Sequence, residues 1–128
     1  MTPLDLARVF LSKARQDLEA LKVLSGSDVA DEIVGFHAQQ AVEKALKAVL
    51  TAADVRVGRS HDIAYLLTLL PDGIEVSGWL DETTALAPYA VIARYAEVTP
   101  DERLDRAASV SLVERVIAWA TDQLGEAA

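Results

Sequence analysis

The sequence predicts an all-α protein, and two observations carry that reading. Apolar residues recur at helical spacing along almost the whole chain, and no segment alternates in the manner of a half-buried strand. The punctuation between the periodic stretches is short: Ser25-Gly26-Ser27, a loop at 54–59 holding Gly58, and Pro71-Asp72-Gly73. Long amphipathic helices joined by short turns pack as an antiparallel bundle, here of five helices. At 128 residues the chain is expected to form a single domain spanning 1–128, large enough to bury a core without disulfides.

The first helix is set by Thr2 as N-cap and Pro3 at the first helical position, followed by a stripe of Leu4, Ala7, Leu11, Ala14, Leu18 and Leu21. Asp28 is expected to cap the second helix, which runs to about Ala53. Ser60 is expected to cap the third, with Asp62 favourable in its first turn. After Pro71-Asp72-Gly73 comes a less regular stretch, 74–81, and then a fourth helix over 82–95 that Pro88 should kink or break. Thr99-Pro100-Asp101-Glu102 combines N-cap Thr, N1 Pro and Glu at N3, and so predicts the start of a fifth helix. That helix carries Val110, Val113, Ile117, Ala120 and Leu124 and stops at Gly125.

Composition narrows the function. The net charge of −8 argues against a broad nucleic-acid-binding surface and restricts any phosphate contact to a local patch. Without cysteine there is no thiolate metal site, and two histidines with no Glu-x-x-His pair leave no plausible metal set, so no metal or cofactor is expected. Neither a glycine-rich phosphate loop nor a signal peptide nor an apolar run long enough to span a membrane is visible, and a cytoplasmic protein is expected.

The densest chemistry lies on the second helix. With His37 at zero on a helical wheel, Lys44 falls at about −20°, Gln40 at about −60° and Lys47 at about −80°. Val34, Ala38, Ala41, Ala45 and Val49 occupy the neighbouring arc. One helix therefore presents an apolar seam beside a basic, polar ridge. His37 on this ridge either faces a phosphate together with Lys44 and Lys47 or fills a helix–helix or dimer boundary. Gln40 is expected at the core edge, bonded to a neighbouring helix, and Glu43 is expected to pair with Lys47 at i,i+4.

FHAQQAVEKALKAVL, then SHDIAYLL, then Ala93-Arg94-Tyr95 are the residues that carry a family resemblance. In this order and at these separations the chain resembles the HEPN family (higher eukaryotes and prokaryotes nucleotide-binding domain). More narrowly, it is similar to small stand-alone HEPN proteins often encoded beside a minimal nucleotidyltransferase. The resemblance implies a five-helix up-and-down bundle, frequent homodimerisation, and a role in toxin–antitoxin or nucleotide-handling systems.

It also implies that active relatives are metal-independent endoribonucleases using an Arg, four to six residues, then a His. Arg56 and His61 match that spacing, although Arg56 sits in a glycine-containing loop and is followed by Val57. A base must take the 2′-hydroxyl proton and a cation must stabilise the phosphorane. Three readings remain open at this point. The ridge of His37, Gln40, Lys44 and Lys47, with Asp62, Arg94 and Tyr95, binds nucleotide, RNA or a nucleotidyltransferase partner. Alternatively Arg56 and His61 cut RNA across a homodimer, or the protein is a purely structural partner. An ion pair between Arg94 and Asp62 is expected to tie the third helix to the fourth.

Overall fold

A capping box opens the first helix. In the computed structural model, which describes residues 1–76, 78–92 and 103–126, the Asp5 amide donates to Thr2 Oγ1 while Asp5 Oδ2 accepts from the Thr2 amide. Helix α1 (Pro3–Ser25) then buries Ala7, Leu11, Ala14, Leu18 and Leu21, the stripe read from the sequence. Among the described residues four further α-helices follow: α2 (Asp31–Ala52), α3 (Ile63–Thr68), α4 (Tyr89–Ile92) and α5 (Arg106–Gln123). A 3-10 helix, Gly78–Leu86, precedes α4. Among the described residues there is no strand and no helix long and apolar enough to cross a membrane.

Helix α2 is the centre of the bundle and packs on every other element. Its buried set includes Val34, Ala38, Ala41, Val42, Ala45, Leu46 and Val49, and the alanines bring its backbone close to α1. Helix α1 runs antiparallel to both long neighbours. Lys22 reaches Glu114, Arg15 reaches Thr121 and Arg8 reaches Glu126 on α5 and beyond, while Asp17 meets His37 and Lys44 of α2.

Several local expectations are corrected. Ala30, not Asp28, is the N-cap of α2, and it supplies no side-chain hydrogen bond. Asp31 in the first turn faces the other way, accepting from the Leu104 amide and from Arg106 Nε. Asp62, not Ser60, caps α3, its Oδ1 accepting from the Ala64 and Tyr65 amides, while Ser60 Oγ accepts from the Asp62 amide and shapes the turn before it.

Over 82–92, the described part of the expected fourth helix, the chain is instead a 3-10 helix, a break at Ala87-Pro88 and a turn of α-helix. Pro88 has no amide proton and its ring obstructs the preceding turn. Thr83 and Thr84 donate their hydroxyls to the carbonyls three residues back, which favours the tighter winding. Helix α5 begins at Arg106, capped by Asp105 Oδ1 on the Ala108 amide, and not at the Thr99 cap. Residues 99–102 themselves, like Arg94 and Tyr95, lie outside the described residues. The C-terminal stop is as expected, with Leu124 as C-cap and Gly125 at φ +70°.

Two contacts fix the end of the bundle at which α1 turns into α2. Arg106 sends Nε to Asp31 Oδ1 and its terminal nitrogens to the carbonyls of Leu24, Ser27 and Val29, pinning α5 to the α1–α2 turn. At the start of α2, the Tyr89 ring packs closely against Gly35, where a Cβ would come within 2.3 Å of Tyr89 Cδ1.

Candidate functional site

Both histidines of this chain are held through Nδ1 by a carboxylate, and each carboxylate is shared with a lysine of α2. The first set is Asp17, His37 and Lys44. Asp17, projecting from α1, places Oδ1 3.1 Å from His37 Nδ1 and Oδ2 2.6 Å from Lys44 Nζ. His37 and Lys44 are seven residues apart and so nearly eclipse each other on the helix, which lets one carboxylate reach both. Phe36 meets the His37 ring edge-on, at 5.7 Å between centroids.

The second set is more deeply built. Glu43 is almost fully buried, its side chain 3% exposed. Its Oε1 accepts from Gln39 Nε2 and lies 3.0 Å from His61 Nδ1, and its Oε2 accepts from Lys47 Nζ at 3.2 Å. Gln39, fully buried, also donates to the His61 carbonyl and accepts from Gln40 Nε2. The backbone and the ring of His61 are therefore both tied to one turn of α2. Among the described residues no buried side-chain polar atom lacks a partner, so this network is satisfied throughout.

The far side of the His61 ring is open, with the side chain 55% exposed. It borders a groove of about 560 Å³ walled by Asp62, Ala87, Pro88, Ala90 and Val91. An ionised Glu43 accepts from Nδ1–H, which leaves Nε2 of the neutral ring as a bare acceptor pointing outward. On protonation Nε2 becomes a donor. Such a ring can take a proton from a hydroxyl or hydrogen-bond a phosphate oxygen.

The match to known proteins agrees with this arrangement of helices. The HEPN domain matches residues 7–124. The chain belongs to the HEPN domain family. The protein TT1696 from Thermus thermophilus shares 27% identity with this HEPN domain at a TM-score of 0.77, covering 91% of this chain and 97% of that one. ST0689, described as an archaeal HEPN homologue, superposes with a TM-score of 0.70 at 22% identity over 92% of this chain and 97% of its own. No curated protein matches the chain. Family membership supports a nucleotide- or RNA-related module in general terms.

The residues singled out in the sequence of this HEPN domain fall into separate places. His37 and Lys44 meet at Asp17, with both side chains less than a third exposed. Lys47 is not on an exposed ridge, being buried against Glu43, and among the described residues Gln40 bonds within its own helix, to Gln39, and not to a neighbour. Asp62 is occupied in capping α3. His61 reaches the groove described above, whereas Arg56 lines a different one, with Leu6, Phe10 and Val55. Arg94 and Tyr95, and with Arg94 the expected ion pair to Asp62, lie outside the described residues.

Sequence reasoning missed Asp17 and Gln39 and assigned Glu43 too modest a part. Glu43 was visible only as an i,i+4 partner of Lys47, because the histidine it holds arrives from eighteen residues away.

Proposed function

We propose that this HEPN domain is a nucleotide- or RNA-binding module that works as a homodimer with a minimal nucleotidyltransferase, in a toxin–antitoxin-like pair. The observation that carries this reading is His61: a half-exposed imidazole, its Nδ1 fixed by a buried glutamate, at the lip of an open groove. Pro88, Ala90 and Val91 offer a base or ribose an apolar wall while His61 meets the phosphate. The test is calorimetric titration of the full chain with ATP and with a short single-stranded RNA, for wild type and His61→Ala. Binding should weaken in the variant and with added salt. Equal affinity in the two proteins would remove the groove from consideration. Co-purification with a nucleotidyltransferase tests the partner separately.

The same geometry favours a second reading, a metal-independent endoribonuclease. A histidine oriented by a buried carboxylate is suited to act as a general base on a 2′-hydroxyl. Arg56 and His61 open onto different grooves of one protomer, so this reading requires Arg56 from a second copy. RNA cleavage in EDTA that disappears in both His61→Ala and Arg56→Ala, and returns when the two variants are mixed, would establish it. No cleavage by the wild type would leave binding alone.

A further inference from the structure

Glu43 is shared by two groups, either of which can carry its counter-charge. Its Oε2 lies 3.2 Å from Lys47 Nζ and its Oε1 lies 3.0 Å from His61 Nδ1. The Glu43 and Lys47 side chains are almost wholly buried, whereas the His61 ring reaches solvent on its far side. A buried carboxylate needs a counter-charge, and a second cation at the same carboxylate is left uncompensated. With Lys47 charged, the set of Lys47, Glu43 and a neutral His61 is balanced, and a proton added to the ring creates an excess positive charge. Without the Lys47 ammonium the same set is short of one positive charge, and a proton added to the ring restores balance.

The other elements around the ring do not disturb this count. From α2, Gln39 donates to Glu43 Oε1 and to the His61 carbonyl, and it is uncharged. At the start of α3, Asp62 borders the groove with Oδ1 accepting from the Ala64 and Tyr65 amides. The opposite wall, Ala87, Pro88, Ala90 and Val91, carries no ionisable side chain.

We infer that Lys47 is a positioning residue for His61: as the counter-charge of Glu43, it keeps the imidazole neutral, with the proton on Nδ1 and Nε2 bare toward the groove. Its consequence for binding rests on the reading of His61 as the group that meets the ligand, but the charge on the ring is read with no ligand present. A neutral ring accepts a hydrogen bond from a ribose hydroxyl and can take its proton. To donate to a phosphate oxygen from Nε2, the ring must first gain a proton. Nucleotide binding at this groove is therefore coupled to proton uptake and strengthens as pH falls. Lys47, although a cation, favours the base over the phosphate donor.

The experiment follows the histidine ring nitrogens of the ligand-free full chain by NMR across pH, in wild type, Lys47→Met, Lys47→Gln and Lys47→Arg. The chain has two histidines, so His61→Ala assigns both. In Lys47→Met and Lys47→Gln the His61 ring should hold its proton about tenfold more tightly. Lys47→Arg should return it to wild-type behaviour, and His37, paired with Asp17, should not change in any variant. Lys47→Gln keeps a donor for Glu43 and removes only the charge, so it also serves if Lys47→Met fails to fold. A merely structural lysine would change stability and leave the ring charge as it was. Proton affinity at His61 within about twofold of wild type in Lys47→Gln would overturn the inference. So would a ring that stays neutral and carries its proton on Nε2, because the balancing proton would then sit on Glu43. Calorimetry with ATP across pH reads the coupling: affinity should rise toward low pH in wild type and should already be raised at neutral pH in Lys47→Gln. Absence of ATP binding at every pH, with the change in ring charge still present, would overturn the nucleotide reading of the groove and uphold the part played by Lys47.

Discussion

Replacing Glu43 by glutamine keeps the shape of the side chain and removes its charge, which isolates what the buried ion pair contributes. At an effective dielectric of about 20, unit charges separated by 3.2 Å attract by about 5 kcal/mol. Desolvation of the two groups, 3% and 9% exposed, offsets part of this in the wild type. In Glu43→Gln the Lys47 ammonium keeps its desolvation cost and loses its counter-charge. The expected loss is about 3 kcal/mol, the low end for breaking a buried pair. In a domain of this size Tm should fall by roughly 10 °C.

The assay is urea unfolding of the four members of a cycle: wild type, Glu43→Gln, Lys47→Met and the double variant. Each single variant should be destabilised, and the double should recover most of the loss because neither charge is then stranded. The same samples report on His61. Its ring should sit in the Nδ1–H tautomer in the wild type and lose that preference in Glu43→Gln, as read by nitrogen chemical shifts. A Glu43→Gln protein within about 0.5 kcal/mol of wild type, with an unchanged tautomer, would refute both the energetic and the positioning argument.

Gly35→Ala should destabilise by about 1–3 kcal/mol, because the added carbon meets the Tyr89 ring at under van der Waals distance and α4 must move; Gly35→Ala combined with Tyr89→Ala should cost less than the sum of the two. Arg106→Lys should cost about 2–3 kcal/mol in chemical denaturation, since an ammonium cannot serve Asp31 and the carbonyls of Leu24, Ser27 and Val29 together. Burial pushes the Tyr89 phenol up from its ordinary value, with the carboxylates of Asp31 and Glu32 adding to the effect. The folded state thus favours the protonated ring. Its contribution to stability is complete below the ordinary tyrosine range, near about 10, and is lost as pH rises through the higher folded value. Near-ultraviolet absorbance in an alkaline titration should show a late phenolate phase that Tyr89→Phe abolishes.

The elements whose causes are local were legible in the sequence. The cap at Thr2, the α1 stripe, the break at Pro88 and the stop at Gly125 each follow from a residue and its near neighbours. The Asp28 cap was misread because α2 starts at Ala30 with no side-chain cap at all, and the Ser60 cap because two cap-forming residues, Ser60 and Asp62, stand close together. Asp31 is drawn to Arg106, and Asp62 is the residue that reaches the α3 amides.

The candidate site was legible only as a set of residues on α2. Periodicity placed their angles correctly, but an angle does not say what lies opposite. Asp17 converts His37 and Lys44 from a bare cationic ridge into a paired cluster, and α3 with its preceding loop turns Lys47 and Glu43 inward. Neither partner shares a local pattern with α2, so neither could be matched to it before the helices were packed.

The Arg106 pin has a consequence for how the chain reaches its native state. Helices α1 and α2 are consecutive and share the largest interface in the bundle, so they can zip together as a local hairpin with little loop-closure entropy. Arg106 has no function until that hairpin exists, because its acceptors are the carbonyls of the α1–α2 turn and the first carboxylate of α2. The full set of Arg106 bonds is available only when the turn is correctly formed, so the arginine adds stability to the docked α5 selectively for the native pairing of α1 with α2.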